Sequence, residues 1–333
     1  MNPPAVSGPV HWGHVSALSV ITRSQYSPPA GRAEARFLNR LTLGGRRDAA
    51  EPMTLLSAID AIAAEAGAAD SAVAFYDYGS QTAWSCRADR WFHAASTIKV
   101  AVLLGLFAAV AEGRFTLADR LHVRNRFLGA HDGLAYAIDA ARDANAEVQA
   151  AIGKLLRIGE LAEHMTATSS NLATNLLLDL VGVDSAREVL ERLGVAAGID
   201  LVRGVEDDAA YRAGLNNRVT ADGLVAVFRL VAERRAVSEE ASEAMLGLLR
   251  RQAFRSGIPA GVPEGVRAQA FFAHKTGETS TVTHDAGIVD LPDRPPYVVS
   301  ILTAWGPGGS DARRETVARF SRAVYVHLVE PCR

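Results

Sequence analysis

Three short motifs in order carry side chains suited to chemistry: Ser96-Thr97-Ile98-Lys99, Ser169-Ser170-Asn171 and Lys275-Thr276-Gly277. Together they supply a nucleophile, a proton relay and an anion clamp. Each alone is weak, and a chain of 333 residues will often hold an S-x-x-K by chance; the ordered set is specific. A serine hydroxyl is a poor nucleophile at neutral pH and needs a base beside it. Ser96 to Lys99 is an i, i+3 step, so on a helix both side chains lie on one face and the lysine nitrogen can approach the hydroxyl. A lysine becomes a base only where burial and neighbouring positive charge hold its pKa down, and Lys275 would supply that charge.

The elements that position these groups follow from their flanks. The apolar run Val100 to Phe107 places Ser96 at the N-terminus of a buried helix, whose free N–H groups suit a developing oxyanion. Lys275 follows Ala270-Phe271-Phe272-Ala273-His274 and precedes a second apolar run ending in Gly287-Ile288-Val289, which reads as a strand entering a hairpin. Gly277 lets a substrate lie close against the strand edge.

The chain resembles the class A β-lactamases and their relatives among the penicillin-recognising serine hydrolases, whose motifs are S-x-x-K, S-D-N and K-T-G. Phe92 to Val100 is similar to the family's nucleophile segment, Ser169 to Leu177 to its second-motif helix, and His284 to Val289 to its following strand. The resemblance spans roughly Met53 to Leu328. It implies that Ser96 is acylated with Lys99 as its base, that Ser169 passes a proton to the departing amine, and that Asn171 holds the substrate's side-chain amide. Lys275 and Thr276 would bind a carboxylate, Gly277 would admit the substrate, and the backbone N–H groups of Ser96 and Glu278 would form the oxyanion hole. The implied substrate is a β-lactam or related acyl donor; no cofactor and no metal are implied.

Two departures stand out. Ser170 occupies the place of the family's Asp, keeping a hydroxyl and losing a charge. No E-x-x-L-N occurs, the pattern whose glutamate activates the water that frees the acyl-enzyme. The comparable stretch, Val205 to Asp222, instead is similar to lactamase-related hydrolases with D-x-x-A-x-x-x-G-x-x-N-x-x-T, matched by Asp207, Ala210, Gly214, Asn217 and Thr220. Glu206 or Asp207 either orients a water or caps the following helix. Asn175, one turn after Asn171, either ties this loop to the helix, the favoured reading, or is a surface residue of no importance, and His284 either adds charge near the carboxylate pocket or is structural.

Composition is that of a compact soluble enzyme, with 49% hydrophobic and 22% charged residues. A net charge of −2 gives no general attraction to nucleic acid or anionic membrane. No run reaches membrane-spanning length. His93, His164 and His274 have no metal-ligand spacing, so the zinc route to lactam hydrolysis has no support. Two cysteines, Cys86 and Cys332, are too few for a disulfide framework, though their pairing stays open. Residues 1–51 read as a mobile extension without a secretory signal, which favours the cytoplasm unless translation starts elsewhere. Gly306-Pro307-Gly308-Gly309 reads as a turn.

The expected fold is α/β (α+β), class A β-lactamase-like: an antiparallel sheet with flanking helices, and an inserted all-helical lobe. Residues 52–330 form the catalytic domain, with a sheet lobe at about 52–95 and 252–330 and a helical lobe at about 96–251. A helix is expected over Met53–Ala64, a hairpin over Ser71–Tyr76 and Thr82–Cys86, strands near Ala270, Ala286 and Val298, and a final helix from about Asp311 to Leu328. The 73-residue interval from Ser96 to Ser169 is longer than the class A pattern. Its surplus is expected in Leu128 to Asn145, rimming the cleft between the lobes. Hydrolysis of a β-lactam through Ser96 is the leading function. A D-Ala-D-Ala peptidase or esterase with the same site, or a penicillin-binding sensor that acylates without turnover, are the alternatives.

Overall fold

A computed structural model describes residues 54–306 and 312–330. The extension over 1–51, most of the Gly306–Gly309 turn and the pairing of Cys332 lie outside them. Five strands form one sheet: β1 (Asp70–Asp77), β2 (Thr82–Cys86), β3 (Phe271–Glu278), β4 (Val282–Asp290) and β5 (Tyr297–Ala304). Their spatial order is β3-β4-β5-β1-β2 and every pairing is antiparallel, so strands from both ends of the domain meet where β5 joins β1. Val73 faces Ile301 and Phe75 faces Val299 across that join.

Helices cover both sides of this sheet, which is why β4 and β5 are buried almost throughout instead of alternating with solvent. On one side α1 (Leu55–Ala66) and the final helix α8 (Arg313–Val329) bury Ile59, Phe320 and Val324 against Val73, Phe75, Val299 and Ile301. Thr54 caps α1 by accepting the Ser57 N–H at 3.2 Å, and Gly67 closes it in the left-handed region. On the other side α6 (Ala221–Ala232) packs across β1, β4 and β5.

Between β2 and β3 the chain is mainly helical. The helix α2 (Lys99–Ala111) is buried from Lys99 to Ala109, because its sequence is apolar on every face and other helices surround it. Those neighbours are α3 (Ile158–Ala167), α4 (Asn171–Val181), α5 (Val183–Arg192) and α7 (Glu239–Leu249). The mixed architecture with an antiparallel sheet is the one expected. Short pairings are additional to the sequence reading: Phe92–His93 pairs with Arg218–Val219, and Phe127–Leu128 with Ala135–Tyr136. The second is a small hairpin at the start of the expected insert, closed by Asn125, which binds both backbone groups of Ile138 at 2.7 and 2.8 Å. No described helix is long and apolar enough to cross a membrane.

Candidate active site

Ser96 lies in a tight turn, Ala95–Ile98, that runs directly into α2. The turn is braced from three sides. Ala95 is left-handed (φ 47°) and donates its N–H to His93 Nδ1 at 3.1 Å, the Thr97 hydroxyl donates to the Ala94 carbonyl at 2.6 Å, and the Ala94 N–H donates to the Asn217 carbonyl at 2.9 Å. Strand β3 crosses so close that a Cβ on Gly277 would stand 3.1 Å from the Ser96 nitrogen and 3.0 Å from that of Thr97. Only glycine leaves that gap open.

Lys99 and Lys275 are both 1% exposed and converge on one hydroxyl. Lys99 Nζ donates to the Ser169 carbonyl at 2.6 Å and to Asn171 Oδ1 at 2.8 Å, and lies 3.1 Å from Ser169 Oγ. Lys275 Nζ reaches the same Oγ at 3.0 Å and the Thr276 carbonyl at 2.9 Å. Ser169 is held left-handed (φ 61°), an unfavourable conformation for a residue with a Cβ, and this aims its hydroxyl between the two amines. The i, i+3 step predicts an approach of Lys99 to Ser96; all three Lys99 hydrogen bonds go instead to the second motif. A neutral lysine has two N–H groups for the two obligate acceptors, a carbonyl and an amide oxygen, which leaves its lone pair for a hydroxyl.

Burial, then the charge of Lys275, pulls the Lys99 amine well below the usual lysine range, against the opposing pull of Asp143 and Glu206. Burial likewise lowers Lys275 to about 7, with Asp285 holding it up. Asp285 is itself buried and accepts from the Ile258 N–H at 2.8 Å while lying 2.8 Å from His274 Nδ1. Proton exchange near neutral pH therefore lies within reach of this cluster.

The sheet's outer strand, β3, forms one wall of the cleft. The Thr279 N–H donates to the Val282 carbonyl at 3.0 Å, and antiparallel pairing alternates, so the N–H of Glu278 faces away from β4. Its side chain points elsewhere and accepts from Arg314 Nε at 2.7 Å. Ser96, Ser169, Asn171, Glu206, Thr276, Gly277 and Glu278 all line one cleft of about 650 Å³. Lys99 and Lys275 lie beneath it, through Ser169.

The two acidic candidates part company here. Asp207 is 2% exposed and does not line the cleft: its carboxylate accepts the Ala210 N–H at 3.0 Å as the cap of the short helix Asp208–Arg212, and the Ala130 N–H of the insert at 2.8 Å. Glu206, left-handed at φ 60°, faces the cleft, where Oε1 accepts from Asn171 Nδ2 at 3.2 Å and Oε2 lies 2.5 Å from the Arg142 guanidinium. Burial raises its carboxyl above the usual range although Arg142 pulls it down. Asn171 thus joins Lys99 through Oδ1 to Glu206 through Nδ2.

Asn175 ties the loop to α4: its Oδ1 accepts the Val205 N–H at 2.8 Å and its Nδ2 donates to the Val205 carbonyl at 2.9 Å. His284 is structural: Nε2 lies 3.0 Å from the His93 carbonyl, Nδ1 accepts the Thr303 N–H at 3.2 Å, and burial pushes its pKa down to about 4. It therefore brings no positive charge to the pocket at neutral pH. The insert does rim the cleft, through Arg142 and Ala144. Two of its residues escape the sequence reading. Arg142 pairs with both Glu206 and Asp208, and Asp143 accepts the backbone N–H groups of Asn171 at 2.9 Å and Leu172 at 3.0 Å. No motif marks either; the signal available was the acidic residue missing from the second motif.

A family model described as the β-lactamase enzyme family matches residues 54–328. No curated protein sequence matches the chain. Among solved structures, a β-lactamase from Sphaerobacter thermophilus is 26% identical, with 82% of this chain and 96% of that one covered at a TM-score of 0.68. A variant of PBP-A, solved as an acyl-enzyme complex with penicillin G, is 26% identical over 84% and 99% of the two chains at a TM-score of 0.66. A class A β-lactamase variant of the last common ancestor of Gram-negative bacteria has the same fold, at 21% identity, 83% and 98% coverage and a TM-score of 0.70. With its fold matched and the family model covering nearly all described residues, the chain belongs to the β-lactamase enzyme family, among the penicillin-recognising serine hydrolases.

Proposed function

We propose that the protein is a serine hydrolase of the β-lactamase type, which is acylated at Ser96 by a cyclic amide and then releases the acyl group to water. The observation that carries this is the Ser169 hydroxyl, bridged by Lys99 at 3.1 Å and Lys275 at 3.0 Å at the wall of the cleft that Ser96 lines. In the first half-reaction neutral Lys99 takes the Ser96 proton, exchanging one of its present bonds to do so, while Oγ attacks the lactam carbonyl carbon. The oxyanion is held by the N–H groups of Ser96 and Glu278. As the C–N bond breaks, Ser169 delivers a proton to the nitrogen and is reprotonated from the lysine pair. Asn171 takes the substrate's side-chain amide. Lys275 and Thr276 take its carboxylate, and Gly277 allows the close approach.

On this reading Glu206, which lines the cleft as Asp207 does not, accepts a proton from the hydrolytic water as that water attacks the ester carbonyl; Ser96 departs as the leaving group and its oxygen takes up a proton, so that none is left over. The raised pKa of Glu206 suits a base working near neutrality. The penicillin acyl-enzyme of the PBP-A variant supports the first half-reaction. One observation favours the sensor reading for the second: Glu206 is already engaged by Arg142 and Asn171, which lowers its availability as a base.

Intact-mass analysis with a penicillin tests both halves. The wild type is expected to gain one acyl group and lose it within minutes, and Ser96→Ala to gain none. An adduct on Ser96→Ala refutes the nucleophile, and an adduct persisting for hours makes the protein a binder that does not turn over. Parallel assays with a D-Ala-D-Ala peptide, a simple ester and a chromogenic cephalosporin rank the substrate classes.

A further inference from the structure

We propose that Asp143 supplies from the insert the carboxylate that the second motif lacks at Ser170, and that it acts as a positioning residue for Asn171. The inference rests on the acyl-transfer reading of the site. Ser170 fills only half of the vacated role. Its oxygen caps α4 by accepting the Ala173 N–H at 3.1 Å, and its proton goes to Asp143 Oδ2 at 3.2 Å. The charge comes from Asp143, whose Oδ1 accepts the Asn171 N–H at 2.9 Å and whose Oδ2 accepts the Leu172 N–H at 3.0 Å. These donors open an 11-residue helix, where an anionic acceptor is favoured by unpaired N–H groups and by the helix dipole. The carboxylate is fixed in turn by the Asn145 N–H at 3.2 Å and the Gln149 amide at 3.1 Å.

The grip on Asn171 is double. While Asp143 holds its backbone, the Arg142 carbonyl accepts its Nδ2 at 3.1 Å, so consecutive residues of the insert hold both the backbone and the side chain of the residue that links Lys99 to Glu206. A shift of that amide by a fraction of an ångström would move the acceptor of Lys99 and the donor to Glu206 together. Asp143 also lies near enough to oppose the lowering of the Lys99 pKa by burial. The insert is on this view part of the catalytic frame, because the second motif is complete only when the insert is docked.

Four proteins test this: the wild type, Asp143→Asn, Ser170→Asp, and the double variant. The readouts are the maximal rate of Ser96 labelling by a fluorescent penicillin, the melting temperature, and amide hydrogen exchange at Asn171 and Leu172. Asp143→Asn is expected to label about 10- to 100-fold more slowly, with both amides exchanging faster. Ser170→Asp alone should also be slower, because two carboxylates then crowd one helix end. The double variant should recover to within about fivefold of the wild type, a reversal of sign that a generally destabilising change would not produce. Wild-type labelling by Asp143→Asn overturns the proposal. So does a folded double variant no faster than Ser170→Asp alone, and that comparison serves should Asp143→Asn not fold. A wild type that forms no adduct refutes the acyl-transfer reading instead. The exchange data then decide for Asp143: unchanged protection at both amides rejects the clamp.

Discussion

Two lysines with opposite requirements face one serine hydroxyl. In the proposed reaction, proton abstraction from Ser96 needs Lys99 uncharged, whereas binding a substrate carboxylate needs Lys275 charged, and burial pulls both amines down. Because Lys275 titrates at about 7, affinity for a penicillin over its methyl ester should fall as pH rises through 7. The bound anion favours the protonated amine, so the midpoint in the complex should lie higher; equilibrium binding to Ser96→Ala at several pH values measures both. An ester preference that is flat with pH would remove Lys275 from carboxylate recognition. Ser169→Ala removes the hydroxyl between the amines, the proposed relay, and should slow acylation by about 10²- to 10³-fold, read by stopped-flow labelling. Its melting temperature should not fall in proportion, since the left-handed strain at φ 61° remains and only a hydroxyl is lost.

The elements that hold these groups differ in how openly the sequence declares them. Helix α2 and strands β3, β4 and β5 are legible because long apolar stretches leave no other place for them than the interior. The loop pattern from Asp207 to Thr220 is legible as well, and each of its members holds part of the structure together. Asp207 and Thr220 cap helices, Ala210 is buried, Gly214 is left-handed, and Asn217 accepts the Val202 and Arg203 N–H groups. What could not be read was the division of labour between Glu206 and Asp207. It depends on a left-handed residue at 206, which turns two neighbouring carboxylates in opposite directions. Asp143 was hidden for a similar reason: its partners in the second motif are 27 to 29 positions away, and two of the three are backbone N–H groups that leave no mark on side-chain pattern. The crossing of β3 over the Ala95–Ile98 turn yields a sharper expectation. Gly277→Ala must displace Thr97 or the strand by a few tenths of an ångström, and should slow acylation about tenfold, with far less effect on unfolding midpoint.

At the scale of the molecule, the core under α1 and α8 and the groups proposed to react are largely separate sets of residues, although Val317 of α8 belongs to that core and also lines the cleft. The packing of α1 and α8 on the sheet contains none of the cleft's reacting groups, and Phe320 at its centre is fully buried. Phe320→Ala should therefore cost about 3–5 kcal/mol in denaturant unfolding. Labelling of Ser96 at a temperature where the variant is folded should stay close to the wild-type rate, and a large loss there would tie the far core to the site. The joint between the two regions is narrower. His284 on β4 reaches across to the His93 carbonyl just before the Ala95–Ile98 turn, as a neutral ring that also accepts from Thr303. An imidazole buried uncharged, with its pKa brought down to about 4 from 6.5, takes up a proton more readily once the chain unfolds. Stability contributed by this ring is thus complete above pH 6.5 and drains away as the medium is acidified toward 4. Vinegar-like conditions should loosen this protein from the seam outward, and replacing His284 by glutamine should flatten the acid limb of its pH–stability curve.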